Sequence, residues 1–183
     1  MRQHPTLHIA ALCLSLLALT AAHGETMSQA DYKASKTRIK EVYKSDKAAC
    51  KLQSGNAKEV CEEEAKGKEK VALAELEYSY TGKTADRNKV QVVKAKAAYE
   101  VAKEKCDDMA GKAKNVCVQE AKAVEQKALA EAKMNKDIGE AKKDAAAEKM
   151  DADYTVALEK CDALAGDNKA SCVAQAKAKF GKK

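Results

Sequence analysis

Six cysteines stand in three pairs, Cys50 with Cys61, Cys106 with Cys117 and Cys161 with Cys172, and each pair encloses the same ten residues. Three chemistries use paired cysteines. Zinc sites draw thiolates from closely spaced Cys or His pairs, and these pairs have no second Cys or His nearby. Redox catalysis uses Cys-x-x-Cys, which is absent from the chain. An even set of regularly spaced cysteines in an exported chain forms structural disulfides. Three such bridges are the reading adopted, with a thiol-based metal or redox protein as the weaker one.

Other chemistry is sparse. The three histidines, His4, His8 and His23, all fall near the amino terminus. The remainder of the chain therefore has no Ser-His-Asp or Cys-His arrangement and no histidine metal ligand. Carboxylates are abundant, as in Glu62-Glu63-Glu64, but on a highly charged helix surface they are solvated rather than paired in a cleft. No glycine-rich phosphate loop follows a strand-like segment. The expectation is a protein that is not an enzyme, with no cofactor and no metal site.

The cysteines belong to a larger repeat. Tyr43, Tyr99 and Tyr154 precede each first cysteine by seven residues, Gly55, Gly111 and Gly166 follow it by five, and Lys58, Lys114 and Lys169 by eight. Three residues past each second cysteine comes Glu64-Ala65-Lys66, Glu120-Ala121-Lys122 or Gln175-Ala176-Lys177. Copies two and three agree most closely, since Lys105-Cys106-Asp107 matches Lys160-Cys161-Asp162. A fixed period of this kind marks an array of one supersecondary unit.

What positions the cysteines is helix. Alanine, Lys and Glu are strong helix formers, and Pro5 is the only proline. Apolar spacing alternates four and three through Ala95, Tyr99, Ala102, Cys106 and Met109, and again through Met150, Tyr154, Ala157, Cys161 and Leu164. That is the seam of a helix packed beside another. In the first copy Asp46 and Gln53 occupy equivalent places beside Ile39, Tyr43 and Cys50. The repeated glycine can take the left-handed conformation that closes a helix. Asn56, and Asp167 or Asn168, then read as N-caps for the returning helix, while Lys112 leaves the middle copy uncapped.

The expected fold is all-α, a tandem array of three disulfide-stapled antiparallel helical hairpins forming an elongated molecule or thin bundle. Helices are expected near 29–52, 57–79, 86–109, 113–137, 140–164 and 168–180. The connections fall near Tyr80-Thr81-Gly82-Lys83-Thr84 and near Asp137-Ile138-Gly139, the second being either a break or a kink in one long helix. The corresponding units are 25–82, 83–138 and 139–183.

Residues 1–24 read as a secretory signal peptide, with Arg2 in a short polar start, an apolar run from Ile9 to Ala22 and a small-x-small site at Ala22-His23-Gly24. A retained membrane anchor would need roughly 20 apolar residues. Cys13 lies mid-run after the bulky Leu12, which is not the setting of a lipidated cysteine. Cleavage leaves six cysteines and places the chain in a periplasm or outside the cell, with no transmembrane anchor.

Charged residues make up 34% of the chain and aromatics 4%, so a large conventional core is excluded. The formal charge of +6 becomes +5 without Arg2, with 33 basic residues against 28 acidic ones. Lys and Glu are interspersed, as in Lys94, Lys96, Glu100, Lys103, Glu104 and Lys105, which describes a solvated helix face. Mixed charge without stacking aromatics argues against dedicated nucleic-acid binding. Attraction to anionic envelope polymers or lipids is compatible with the net charge.

The stretch Ala121-Lys122-Ala123-Val124-Glu125-Gln126-Lys127-Ala128-Leu129-Ala130-Glu131-Ala132-Lys133 resembles the periplasm-spanning helical segment of TolA-like cell-envelope proteins. The resemblance is one of composition and implies an envelope setting. The chain departs from it in having no amino-terminal membrane anchor, no globular carboxy-terminal domain, and a cysteine repeat which that segment lacks. The expectation is a non-enzymatic periplasmic structural or interaction protein of the cell envelope, working with envelope proteins or anionic polymers. The alternative is a basic helical holdase chaperone that binds unfolded envelope proteins. Self-association into a homo-oligomer is left open.

Overall fold

The computed structural model describes residues 27–183. The expected signal peptide and cleavage site, with Cys13 and Pro5, lie outside the described residues. The described chain is helical throughout: α1 is Gln29–Cys50, α2 Gly55–Thr81, α3 Thr84–Lys105, α4 Gly111–Asp162 and α5 Gly166–Lys179. A single 3-10 turn, Cys106–Asp108, follows α3.

Ser28 starts α1 by accepting the Asp31 backbone N–H at 3.1 Å, and its hydroxyl donates to the Asp31 carboxylate at 2.6 Å. This satisfies one of the free donors of the first turn. At the same end of this first hairpin, Gly82 closes α2 with φ 62°, its N–H donating to the Tyr78 carbonyl at 2.8 Å. Only Gly82 and Lys83 then separate α2 from α3. Thr81 Oγ1 accepts the Lys83 N–H and its hydroxyl donates to Asp86, which fixes this short turn.

Each helix packs chiefly on its neighbours in sequence, α1 on α2, α2 on α3, α3 on α4 and α4 on α5. The pairings are antiparallel. Between α2 and α3, Glu64 pairs with Lys105 at 3.1 Å and Glu75 with Lys94 at 2.6 Å, so one helix rises as the other falls. Between α3 and α4 the register runs from the Cys106–Cys117 bridge to Thr84, whose methyl approaches Gly139. The first four helices thus form a meandering row, with two cystine tips at one end and the Gly82 turn at the other.

The second connection is not a break. α4 runs through Asp137-Ile138-Gly139 as one helix of 52 residues, about 78 Å long at 1.5 Å per residue. The expected division into 113–137 and 140–164 is therefore corrected. A helix-interior glycine costs only about 1 kcal/mol, and the Lys, Glu and Ala on either side outweigh it. Beyond Gly139 the helix leaves α3, and the carboxy-terminal segment first reaches it where Lys182, just past α5, pairs with Asp151 at 2.6 Å. Every residue from Glu140 to Met150 in between is exposed.

The core is thin. Its buried apolar members are Cys50, Cys106 and Cys161, the alanines 65, 74, 95, 132 and 176, and Leu76 and Val90. The three cysteines are the largest side chains that are fully enclosed. Alanine buries little apolar area, so each bridge carries an unusual share of stability. Closing a loop of this length contributes up to about 3 kcal/mol through the unfolded chain. Close helix approach adds the rest: a Cβ built on Gly67 of α2 would lie 3.2 Å from the Ala97 Cβ of α3.

Candidate interaction surfaces

The three cysteine pairs are bridged as their spacing implies. Cα–Cα distances are 5.5, 5.7 and 5.5 Å for Cys50–Cys61, Cys106–Cys117 and Cys161–Cys172. Each bridge lies about one turn from a hairpin tip and ties the end of one helix to the first turns of the next. Three cystines fit an oxidising setting, periplasmic or extracellular.

The tips explain the rest of the repeat. Gly55, Gly111 and Gly166 have φ of 60, 56 and 56°, in the left-handed region. They do not close the first helix of each hairpin, as the sequence suggests; they open the second, because the first helix already ends within one residue of the cysteine. Asn56 is not the N-cap of α2, since its enclosed side-chain amide makes no hydrogen bond among the described residues. The repeated lysine has a role in two copies. Lys114 pairs with Asp107 at 3.0 Å and Lys169 with Asp162 at 3.1 Å, each clasping the residue after the first cysteine. In the first copy Lys51 holds that place, and Lys58 turns instead to Glu62 at 4.0 Å.

The seam is shorter than its spacing indicates. Tyr99, Ala102, Tyr154 and Ala157 are half-buried, while Met109 and Leu164 are 47% and 44% exposed because they fall in the turns. Met150 is exposed because α5 ends short of it. Leu52 is the most open of the exposed large apolar residues at 90%. Each stapled tip therefore presents one large apolar side chain, Leu52, Met109 or Leu164, to solvent.

The repeated tyrosines take three settings. Tyr43 borders an apolar trough between α1 and α2 with Ile39, Val42, Ala65 and Ala72. Tyr154 packs against Phe180 with ring centroids 5.8 Å apart, and Lys182 Nζ lies 5.8 Å from its ring. Tyr99 lines a groove of about 610 Å³ to which all of the first four helices contribute. Its floor includes Gly67, Leu73, Ala74, Val93 and Ala97, and its rim alternates Lys36, Lys70, Lys89 and Lys96 with Glu63, Glu77, Glu100 and Glu125.

Tyr32 closes one end of this groove. Its hydroxyl donates to Glu77 at 2.6 Å and its ring lies 4.6 Å from that of Tyr80. The bond to the Glu77 carboxylate holds the phenol above its ordinary pKa, so it stays protonated. Tyr32 is not a repeat position. The four-three-four spacing back from Tyr43 through Ile39 and Lys36 nonetheless lands on it.

Another trough along the α2–α3 contact, sharing Gly67 and Ala97 with this groove, is lined by Val71, Ala98, Val101 and Ala102 together with Glu64, Lys68 and Lys105. Ion pairs guard its neighbourhood, Lys105 with Glu64 and Lys68 with Asp46 at 3.7 Å.

Residues 27–183 contain no histidine. The Lys66 ammonium is held above its usual pKa by its hydrogen bond to Glu63, and Lys133 by its bond to Asp137, so both stay charged. Glu104 is raised by partial burial and then by the neighbouring carboxylates of Asp107, Glu59 and Glu63. Among the described residues no group of three or more His, Cys, Asp or Glu is placed to hold a metal ion, and no helix is long and apolar enough to cross a membrane.

Comparison with protein-family models, with curated proteins and with solved structures found no match. The likeness to TolA-like segments rests on composition.

Proposed function

We propose that this chain is a non-enzymatic periplasmic protein of the cell envelope, a helical spacer whose stapled tips dock envelope proteins or anionic polymers. The observation that carries the reading is α4. One 52-residue helix separates the paired tips at Cys50–Cys61 and Cys106–Cys117 from the single tip at Cys161–Cys172. At 1.5 Å per residue the span from Cys117 to Cys161 is about 66 Å, which suits bridging rather than enclosing a substrate. The interspersed Lys and Glu keep that span solvated, and the net positive charge of the chain favours anionic surfaces.

Photo-crosslinking residues placed at Leu52 and at Leu164 in cells test this reading. The spacer predicts a discrete adduct at each end, with different partners at the two ends. A diffuse ladder of adducts, or none at either end, contradicts it.

A second reading has its own observation. Exposed apolar residues at all three tips, Leu52, Met109 and Leu164, would suit a holdase that grips unfolded envelope proteins. Light scattering from a chemically unfolded outer-membrane protein decides it. Suppression of aggregation at near-equimolar protein favours the holdase, and aggregation at the unassisted rate removes it.

A further inference from the structure

The contact that joins the first two hairpins has a counterpart that the third leaves unmade. Between α2 and α3 it consists of Gly67 on Ala97, of the Glu64–Lys105 and Glu75–Lys94 ion pairs, and of Val71 and Ala98 in the trough between the helices. Counted from the cysteines, the same places in the two halves of α4 hold Ala123 and Ala152, Glu120 and Lys160, Glu131 and Lys149, and Lys127 and Asp153. Both ion pairs are kept, and where Val71 and Ala98 give way, opposite charges replace them together. The same register sets Val124 level with Val156 and Val116 level with Leu164, residues left 64, 52, 56 and 44% exposed. In the straight α4 none of these partners meets: Ala123 and Ala152 are exposed, and none of the six charged residues is ion-paired among the described residues.

We propose that α4 is the open form of a helical hairpin, and that the third stapled unit folds back onto this face of the second as the second packs on the first. The turn has its residue. Gly139 stands 22 residues after Cys117 and 22 before Cys161, whereas Gly82, in the left-handed conformation, stands 21 after Cys61 and 24 before Cys106. Glu131 and Lys149 are 18 positions apart and Glu75 and Lys94 are 19 apart, so one kind of short connection closes both hairpins. Folding back breaks the helical hydrogen bonds that cross Gly139. It also gains less than its counterpart in the row, because Ala145 stands where Val90 is buried. The two forms are therefore close in free energy, and the molecule has an extended and a retracted state, whatever its tips bind. In the retracted state all three cystine tips lie at one end.

Single-molecule energy transfer between dyes on azide-bearing residues at positions 109 and 164 tests the proposal, with oxidised protein at picomolar concentration so that each signal comes from one chain. Two populations are expected, one at the roughly 66 Å or more of the straight helix and one near 20 Å, about two helix spacings. Glu120→Lys with Glu131→Lys should deplete the near population by about tenfold or more, and adding Lys149→Glu with Lys160→Glu should restore it. All four side chains are exposed in the straight form, so helix content and the three bridges should be unchanged in these variants. A far population alone, a near one indifferent to the reversal or not restored by the second, or a near distance that arises only at micromolar protein, where a second copy takes the face, would each overturn the proposal.

Discussion

The same stapled hairpin appears in two settings. The first two copies stand side by side, because α2 and α3 join them along their length through the Gly67–Ala97 contact and the Glu64–Lys105 and Glu75–Lys94 pairs. The third stands at the far end of α4, where α5, a helix of 14 residues, packs chiefly on α4 among the described residues. An isolated helix of that length is marginal in water. The difference teaches what the cystine does. Within the row it reinforces packing that neighbouring helices already supply, whereas on the arm it is the principal constraint holding a short helix in place.

Removing bridges should separate the two regions most sharply. Cys161→Ser with Cys172→Ser is expected to release α5, with a loss of up to about 3 kcal/mol of local stability, while the row keeps its helix content. Cys50→Ser with Cys61→Ser should fray the first tip but leave α2 on α3. Far-UV circular dichroism with limited proteolysis reads both, and equal loss in the two variants would erase the comparison.

Next in size is the contact that joins the first two hairpins. Gly67→Leu forces α2 and α3 apart and should cost about 1–3 kcal/mol in urea unfolding of the row without altering the arm. The tip glycines should give a smaller and more uniform loss. Gly111→Ala and Gly166→Ala impose a left-handed conformation on a residue with a Cβ, costing about 1–2 kcal/mol each in thermal unfolding. Similar values in both regions would show that the tips are built alike even where the packing differs.

Gly139 marks where the two regions meet. A Cβ there lies 3.9 Å from the Thr84 methyl, an ordinary contact, and the backbone is helical. Gly139→Ala is expected to stabilise α4 by about 0.5–1 kcal/mol and to slow amide exchange in residues 135–150. The smallest effect belongs to Glu104. Its carboxyl is raised by burial and neighbouring acids, so the folded state binds its proton more tightly than the unfolded state does. Glu104 therefore opposes folding more as pH rises through and above the ordinary carboxylate range, and its penalty fades on acidification. Glu104→Gln should raise stability near pH 7 within the about 0.5 kcal/mol typical of surface changes, with no gain at pH 3.

Much of this fold was legible in the residues. Cysteine spacing implied the three bridges, and helix composition with the seam placed α1, α2, α3 and α5 within a few residues of their ends. The misreadings share a physical origin: local signals were weighed without the context that overrides them. Gly139 resembles a breaker until the helix formers around it are counted. Gly111 and Gly166 have the positive φ expected, yet whether such a residue ends one helix or begins the next depends on where the bridge stops the first. The groove was less accessible still. Tyr99 is repeated and was singled out, but Gly67, Tyr32 and the alternating Lys and Glu of the rim come together only when four helices are laid side by side.

Hydrogen exchange resolved by peptide, with and without reductant, tests the central claim most directly. On reduction, amides of Gly166–Lys179 should lose their protection, while those in the middle of α2 and α3 remain slow. Uniform loss across both regions, or an α5 that stays protected after reduction, would contradict the account.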